Sequence, residues 1–126
     1  MRRTILSSKI HRATVTGGNI DYVGSIYIDR ELMDAAGILP NEKVQVVNVT
    51  NAQRSETYAL PAETGSGEIC PCGGSAKIAK PGDLLIIMAY KQMSDEEAAT
   101  HEAKVIFVDK KNQIISKEEA EEQVKG

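Results

Sequence analysis

Short runs that mix apolar and polar residues recur along the chain, separated by stretches rich in glycine, proline, asparagine or aspartate. From Thr4 to Thr16, Ile, Val and Thr mix with polar side chains, which predicts a strand with one wet face, ended by Gly17-Gly18-Asn19. Ser25 to Ile28 predicts a second short strand. Asp29 is placed to cap a helix over Arg30 to Ala36, in which Leu32, Met33 and Ala36 share a face and Gly37 suits the stop. Val44 to Val49 and Ser55 to Leu60 flank turn residues near Asn51 and predict a hairpin.

Between Pro61 and Ala76 the glycines and prolines break any period, so a long loop is expected there, of the kind that often holds a site. Leu84 to Ala89 is an apolar run short enough to be a central strand buried on both faces. Ser94 and Glu97 have capping-box spacing and predict a one-turn helix. Ala103 to Val108 predicts a last core strand, and Ser116 to Gly126 is so rich in Glu and Lys that it is expected as a frayed helix or a disordered tail. Many short strands, few small helices and no strand-helix alternation argue for a mainly β, closed or nearly closed barrel in one domain over residues 1–126.

Composition narrows the function classes. The 15 basic and 18 acidic residues are interspersed, and no basic stripe carries aromatics, so no nucleic-acid partner is expected. No apolar run approaches the ~20 residues that span a bilayer, and Met1-Arg2-Arg3-Thr4 does not lead into a signal-peptide core, so no membrane partner and a cytoplasmic location are expected. Cys70-Pro71-Cys72 is too tight for an ordinary structural disulfide. The two cysteines with His11 and His101 lack zinc-ligand spacing, and no metal is expected. Asn48-Val49-Thr50 matches a glycosylation sequon but reads as a strand-to-turn transition.

Gly-Ser occurs at Gly24-Ser25, Gly65-Ser66 and Gly74-Ser75, and the dipeptide alone is a flexible turn. The context of the first differs: Tyr22-Val23-Gly24-Ser25 is followed by Ile28-Asp29 and then by Leu32-Met33-Asp34-Ala35-Ala36-Gly37-Ile38-Leu39. With Lys9-Ile10-His11-Arg12, Asn48-Val49-Thr50-Asn51, Arg54 to Ala59, Gly82-Asp83 and Asp95-Glu96-Glu97-Ala98, this string resembles the aspartate 1-decarboxylase family of pyruvoyl enzymes over roughly the first hundred residues.

The resemblance implies a double-psi β-barrel, a homotetramer with sites at subunit interfaces, and conversion of L-aspartate to β-alanine and carbon dioxide in pantothenate (coenzyme A) biosynthesis. It implies that Ser25 attacks the Gly24 carbonyl, dividing the chain into residues 1–24 and 25–126 and leaving a pyruvoyl group at residue 25 that engages the substrate amine as a Schiff base. Cleavage is either spontaneous or assisted by an accessory maturation protein. A glycine before the serine would tolerate strained backbone angles and let the hydroxyl reach the carbonyl carbon.

The same resemblance gives the other residues their roles. Thr57 donates to the oxyanion at Gly24, and Tyr58 is the proton donor. Arg54 and Lys9 clamp the carboxylates, Gly73-Gly74-Ser75 brings backbone amides to the substrate, and His11 and Tyr22 support the site. Taken alone, Thr57 and Tyr58 are strand residues, Arg54 and Lys9 two cations among 15, and Gly73-Gly74-Ser75 a loop. Three positions depart from the family: Cys72 stands where asparagine is usual, Val47 where a tryptophan lines the site, and Gly73-Gly74-Ser75 where Gly-Ala-Ala is usual. Two other readings remain at this level: a pyruvoyl decarboxylase for another small amino acid, and a β-barrel binding module that never processes.

Overall fold

The computed structural model describes every residue except Ile20, Tyr22 and Gly126. Its strands are β1 (Arg2–Thr14), β2 (Ser25–Asp29), β3 (Lys43–Asn48), β4 (Arg54–Ala62), β5 (Ile69–Cys72), β6 (Leu84–Ser94), β7 (Lys104–Val108) and β8 (Ile114–Ile115). The helices are α1 (Arg30–Ala36), α2 (Asp95–Thr100) and α3 (Lys117–Lys125), with a 3-10 turn at Gly73–Lys77. None of the described helices is long and apolar enough to cross a membrane.

The strands form one curled sheet in the order β5-β2-β4-β3-β6-β1-β7-β8, the mainly β barrel architecture expected from the sequence. Most neighbours are antiparallel, but β1 with β7 and β2 with β4 are parallel. Two bulges bend β1. Ser7 is an extra residue between the Leu6–Tyr90 and Ser8–Ala89 pairs, and a second extra residue at His11-Arg12 places Arg12 at φ 61°. The bends let one strand follow β6 along most of its length and still pair with β7.

Beyond Thr14 the chain crosses to the far edge of the sheet. The Thr16 amide donates to the Ile69 carbonyl (2.9 Å), the Thr16 hydroxyl accepts from the Ile69 amide (3.0 Å), and Asn19 pairs with Cys72. The segment after β1 thus covers the free edge of β5 and closes the curl. Side chains at Ile10, Ala13, Ile26, Ile28, Val44, Val46, Ala59, Ile69, Leu85 and Ile87 fill the interior. Burying each large aliphatic among them contributes about 1.5–3 kcal/mol.

Helix α1 follows its sequence signals. Asp29 caps it by accepting from the Glu31 amide, Gly37 ends it at φ 73°, and Leu32, Met33 and Ala36 are its buried face. The buried Asp29 carboxylate also accepts from the amides of Gly65 and Gly67, each at 2.9 Å, and so anchors the loop after β4. Gly67 has φ +71° and a Cβ there would lie 2.5 Å from the Lys111 carbonyl, so only glycine fits. Buried Asn112 accepts from the Thr14 amide and donates to the carbonyls of Thr14 and Gly67, all at 2.8 Å.

Two expectations change, and for the C-terminal segment the structure takes the helical of the two expected forms. The Pro61–Ala76 segment is not one loop: it completes β4, then supplies β5 and the 3-10 turn. Leu84–Ala89 is not buried on both faces, because half-buried and buried positions alternate along it, and the strand runs on to Ser94. The C-terminal segment is helical over Lys117–Lys125, with the Ser116 hydroxyl accepting from the Glu119 amide and the Glu119 carboxylate accepting from the Ser116 amide.

Asn112→Ala leaves the Thr14 amide and two carbonyls without their buried partner. It should lower stability by about 2–4 kcal/mol, read as a fall of several degrees in the thermal unfolding midpoint.

Candidate active site

Ser25 opens β2 and is completely buried. In the antiparallel ladder with β5 it faces Cys72. On its other side the parallel register pairs Ile26 with Ala59; carried back, the same register sets Ser25 alongside Tyr58 and Gly24 alongside Thr57. The Ser25 hydroxyl lies 3.2 Å from the Val23 carbonyl, to which it donates. The strain expected at Gly24 is not seen, because its φ is outside the left-handed region and a Cβ built on it meets nothing within 4 Å.

A cavity of about 430 Å³ opens at this junction, lined by Gly24, Ser55, Glu56, Thr57, Tyr58, Gly74, Ser75 and Ile78. The fold therefore gathers Gly24, Thr57, Tyr58, Gly74 and Ser75, which are far apart in the chain. β4 supplies one wall because a strand beside β2 must run its own side chains past the junction, and the 3-10 turn after β5 supplies the other.

The hydroxyls are the dominant chemistry of these walls. Thr57 and Ser55 lie two residues apart on one strand and so share a face. The Ser55 hydroxyl is buried with no hydrogen-bond partner, which is costly unless a group that enters the cavity completes it. No signal short of the fold singles out Ser55. Glu56 adds a carboxylate at the cavity, compensated by Lys43 at 2.8 Å. This pairing reduces the repulsion an anionic ligand would meet there.

Other residues proposed from the sequence lie elsewhere. Gly73 is buried at φ 62°, does not line the cavity, and its amide already donates to the Asn19 carbonyl (2.8 Å), so it is not a free donor. Arg54 begins β4, exposed and opposite Val47, and neither lines the cavity. Lys9 lies within β1, paired with Met88 and Val105. His11 faces a different cavity of about 590 Å³ between β1, β7 and α3. Tyr22 lies outside the described residues. Among the described residues no three His, Cys, Asp or Glu side chains group as metal ligands.

A hydroxyl-lined cavity of about 430 Å³, opening where exposed Gly24 meets fully buried Ser25 in a small curled β-sheet, is the kind of site a β-barrel enzyme presents. The comparisons with known proteins agree with this class. The aspartate decarboxylase family model matches residues 1–115, and the chain belongs to that family. It is 55% identical over 114 residues to the aspartate 1-decarboxylase of Bacillus subtilis, covering 90% of each chain. It is 56% identical to that of Caldicellulosiruptor saccharolyticus over 94% of this chain and 92% of the relative. With the aspartate 1-decarboxylase of Neisseria meningitidis the identity is 53% over 90% of each.

His11 packs edge-on against Phe107, ring centroids 5.6 Å apart, and its Nδ1 is buried without a partner. Burial first, then the charges of Lys9 and Arg12, lower its pKa from the usual value near 6.5. The unfolded chain then binds the proton more readily, so this contribution to stability is full above pH 6.5 and is lost as pH falls toward the folded pKa. An NMR titration should give a His11 midpoint below 6.5, and His11→Gln should flatten the fall in stability on acidification.

Proposed function

We propose that the chain is the self-processing precursor of an L-aspartate α-decarboxylase, cut between Gly24 and Ser25 and yielding β-alanine and carbon dioxide in a cytoplasmic biosynthetic route. The observation that carries the proposal is the junction itself: a fully buried serine at the head of a strand, next to a glycine that opens on a cavity walled by Thr57 and Tyr58. Family membership supports the same chemistry.

Processing needs only groups of this chain and water. Ser25 Oγ bonds to the Gly24 carbonyl carbon, the Gly24–Ser25 C–N bond breaks, and an ester with a free amine on residue 25 results. Loss of the residue 25 α-proton expels the Gly24 carboxylate by β-elimination. Water then displaces the nitrogen as ammonia, leaving a pyruvoyl ketone. Thr57, alongside Gly24 by register, is the donor for the oxyanion that forms there.

The cavity suits such a group, since the partnerless Ser55 hydroxyl lies among its lining residues. When formed, the pyruvoyl group supplies a carbonyl that takes up the substrate amine and withdraws electrons as carbon dioxide leaves. Tyr58 holds the proton that the substrate carbon then needs. Gly74 and Ser75 shape the wall opposite β4.

The carboxylate clamps are Arg54 and Lys9. None of Arg54, Lys9 and His11 lines the cavity of its own chain; Arg54 immediately precedes the Ser55 to Tyr58 stretch that does, and a homotetramer with sites between subunits would bring Lys9 and His11 from a second copy. Cleavage is spontaneous or assisted by an accessory maturation protein.

Purified protein supplied with L-aspartate should release β-alanine and carbon dioxide, and Ser25→Ala should remove both cleavage and turnover. Thr57→Val should slow cleavage, whereas Tyr58→Phe should still cleave but lose about 10²–10⁴-fold in turnover. Lys9→Ala and Tyr58→Phe chains, each inactive alone, should regain activity when co-expressed. If the mixed assembly is as inactive as its parents, the shared site is wrong.

A further inference from the structure

Cys70 and Cys72 are alternate residues of β5 and so project from the same face of the strand. Their Sγ atoms are 3.9 Å apart, and the Cys72 thiol also approaches the Cys70 carbonyl at 3.6 Å. Both are free thiols, Cys72 buried and Cys70 half-buried. Both border an open cavity of about 300 Å³, shared with Asn19, Tyr27 and Glu68, and the half-buried Cys70 is the more exposed of the two. Neither sulfur takes part in the chemistry proposed for the site.

The position of the pair matters more than its proximity. Cys72 is the rung facing Ser25, and Cys70 is the rung facing Tyr27. One residue beyond Cys72 begins the turn whose Gly74 and Ser75 wall the site cavity. Any covalent change between the two sulfurs therefore acts on the strand that holds the reacting residue.

We propose that Cys70 and Cys72 form a reversible oxidation site for small-molecule disulfides, and that closing the Cys70–Cys72 bridge displaces Ser25 and the Gly74-Ser75 wall and slows the chemistry at residue 25. The slowing rests on the proposed function; the bridge itself does not. One thiolate attacks a sulfur of the small disulfide, giving a mixed disulfide and releasing one small thiol. The second thiolate attacks the protein sulfur of that mixed disulfide, closing the bridge and releasing the other small thiol. The cysteines lose two electrons, the small disulfide gains them, and the two thiol protons end on the released thiols.

Closure needs the sulfurs to move from 3.9 Å to about 2.05 Å, and alternate Cα atoms in an extended strand sit near the long limit that a disulfide spans. Closing the bridge therefore puckers β5, and it forms a strained bond that reductants open readily. Burial, with the neighbouring Cys72 thiol, pushes the Cys70 thiol up to about 11, so exchange is slow at neutral pH.

The test equilibrates the full-length protein in oxidised-glutathione and reduced-glutathione buffers, then reads intact mass, cleavage at Gly24–Ser25 and aspartate turnover in the same samples. Oxidised samples should lose the mass of two hydrogen atoms, slow about tenfold to a hundredfold, and recover fully with dithiothreitol. Cys70→Ser should keep the reduced protein's activity and be insensitive to the buffer. A stable glutathione adduct without the two-hydrogen loss, a bridged form as active as the reduced one, or equal inhibition of Cys70→Ser overturns the proposal. A reduced protein that neither cleaves nor turns over aspartate overturns the proposed function instead, and the mass change then decides the thiol pair alone.

Discussion

The site depends on one constraint: β2 is paired with β5 from its first residue and with β4 from its second. Ser25 is that first residue, flanked by β5 through Cys72 and set beside β4 by the parallel register. A serine in a surface turn would sample many rotamers and be solvated, but one held at zero exposure between two strands has its hydroxyl fixed relative to the backbone just before it. The same constraint draws β4 past the junction, so the Thr57 and Tyr58 side chains line the cavity that Gly24 borders.

β5 is short and would be a poor neighbour if left as a free edge. It is held from outside by Thr16 and Asn19, which carry the chain of β1 onto it, and from its start by the loop that Asp29, Gly67 and Asn112 fasten. None of these residues lines the cavity, yet they hold the strand that leads into the turn carrying one wall of the site. Stability and function thus share the same hydrogen bonds, and loosening the Asn112 turn reaches the site through Gly67 and β5.

Much of the fold was legible because local and tertiary preferences agree. Asp29, Gly37 and the Ser94–Glu97 box are capping signals whose meaning does not depend on the rest of the chain, and the structure uses each as read. β5 was hidden because Pro71 interrupts a four-residue run between glycine-rich stretches. In the fold Pro71 is tolerated on this flanking strand, where its carbonyl accepts from the Asn19 amide. The bulges of β1 leave no mark in an alternating pattern, which is why burial of both Ser7 and Ser8 was not foreseen. The motif around Gly24-Ser25 located the junction, and Arg54 to Ala59 located the facing strand. Ser55 was invisible, because its distinction is a hydroxyl left without a partner by its surroundings. Lys9 and His11 lie away from the Gly24 cavity, a separation that order along the chain does not reveal.

The central claim is that Ser25 reacts with its own backbone, and an intact mass spectrum of the purified protein under denaturing conditions tests it most directly. The account predicts two fragments, residues 1–24 with a new carboxyl end and residues 25–126 lacking a free terminal amine. A chain that stays whole after prolonged warming with a cell extract, in which any maturation factor is present, would contradict it.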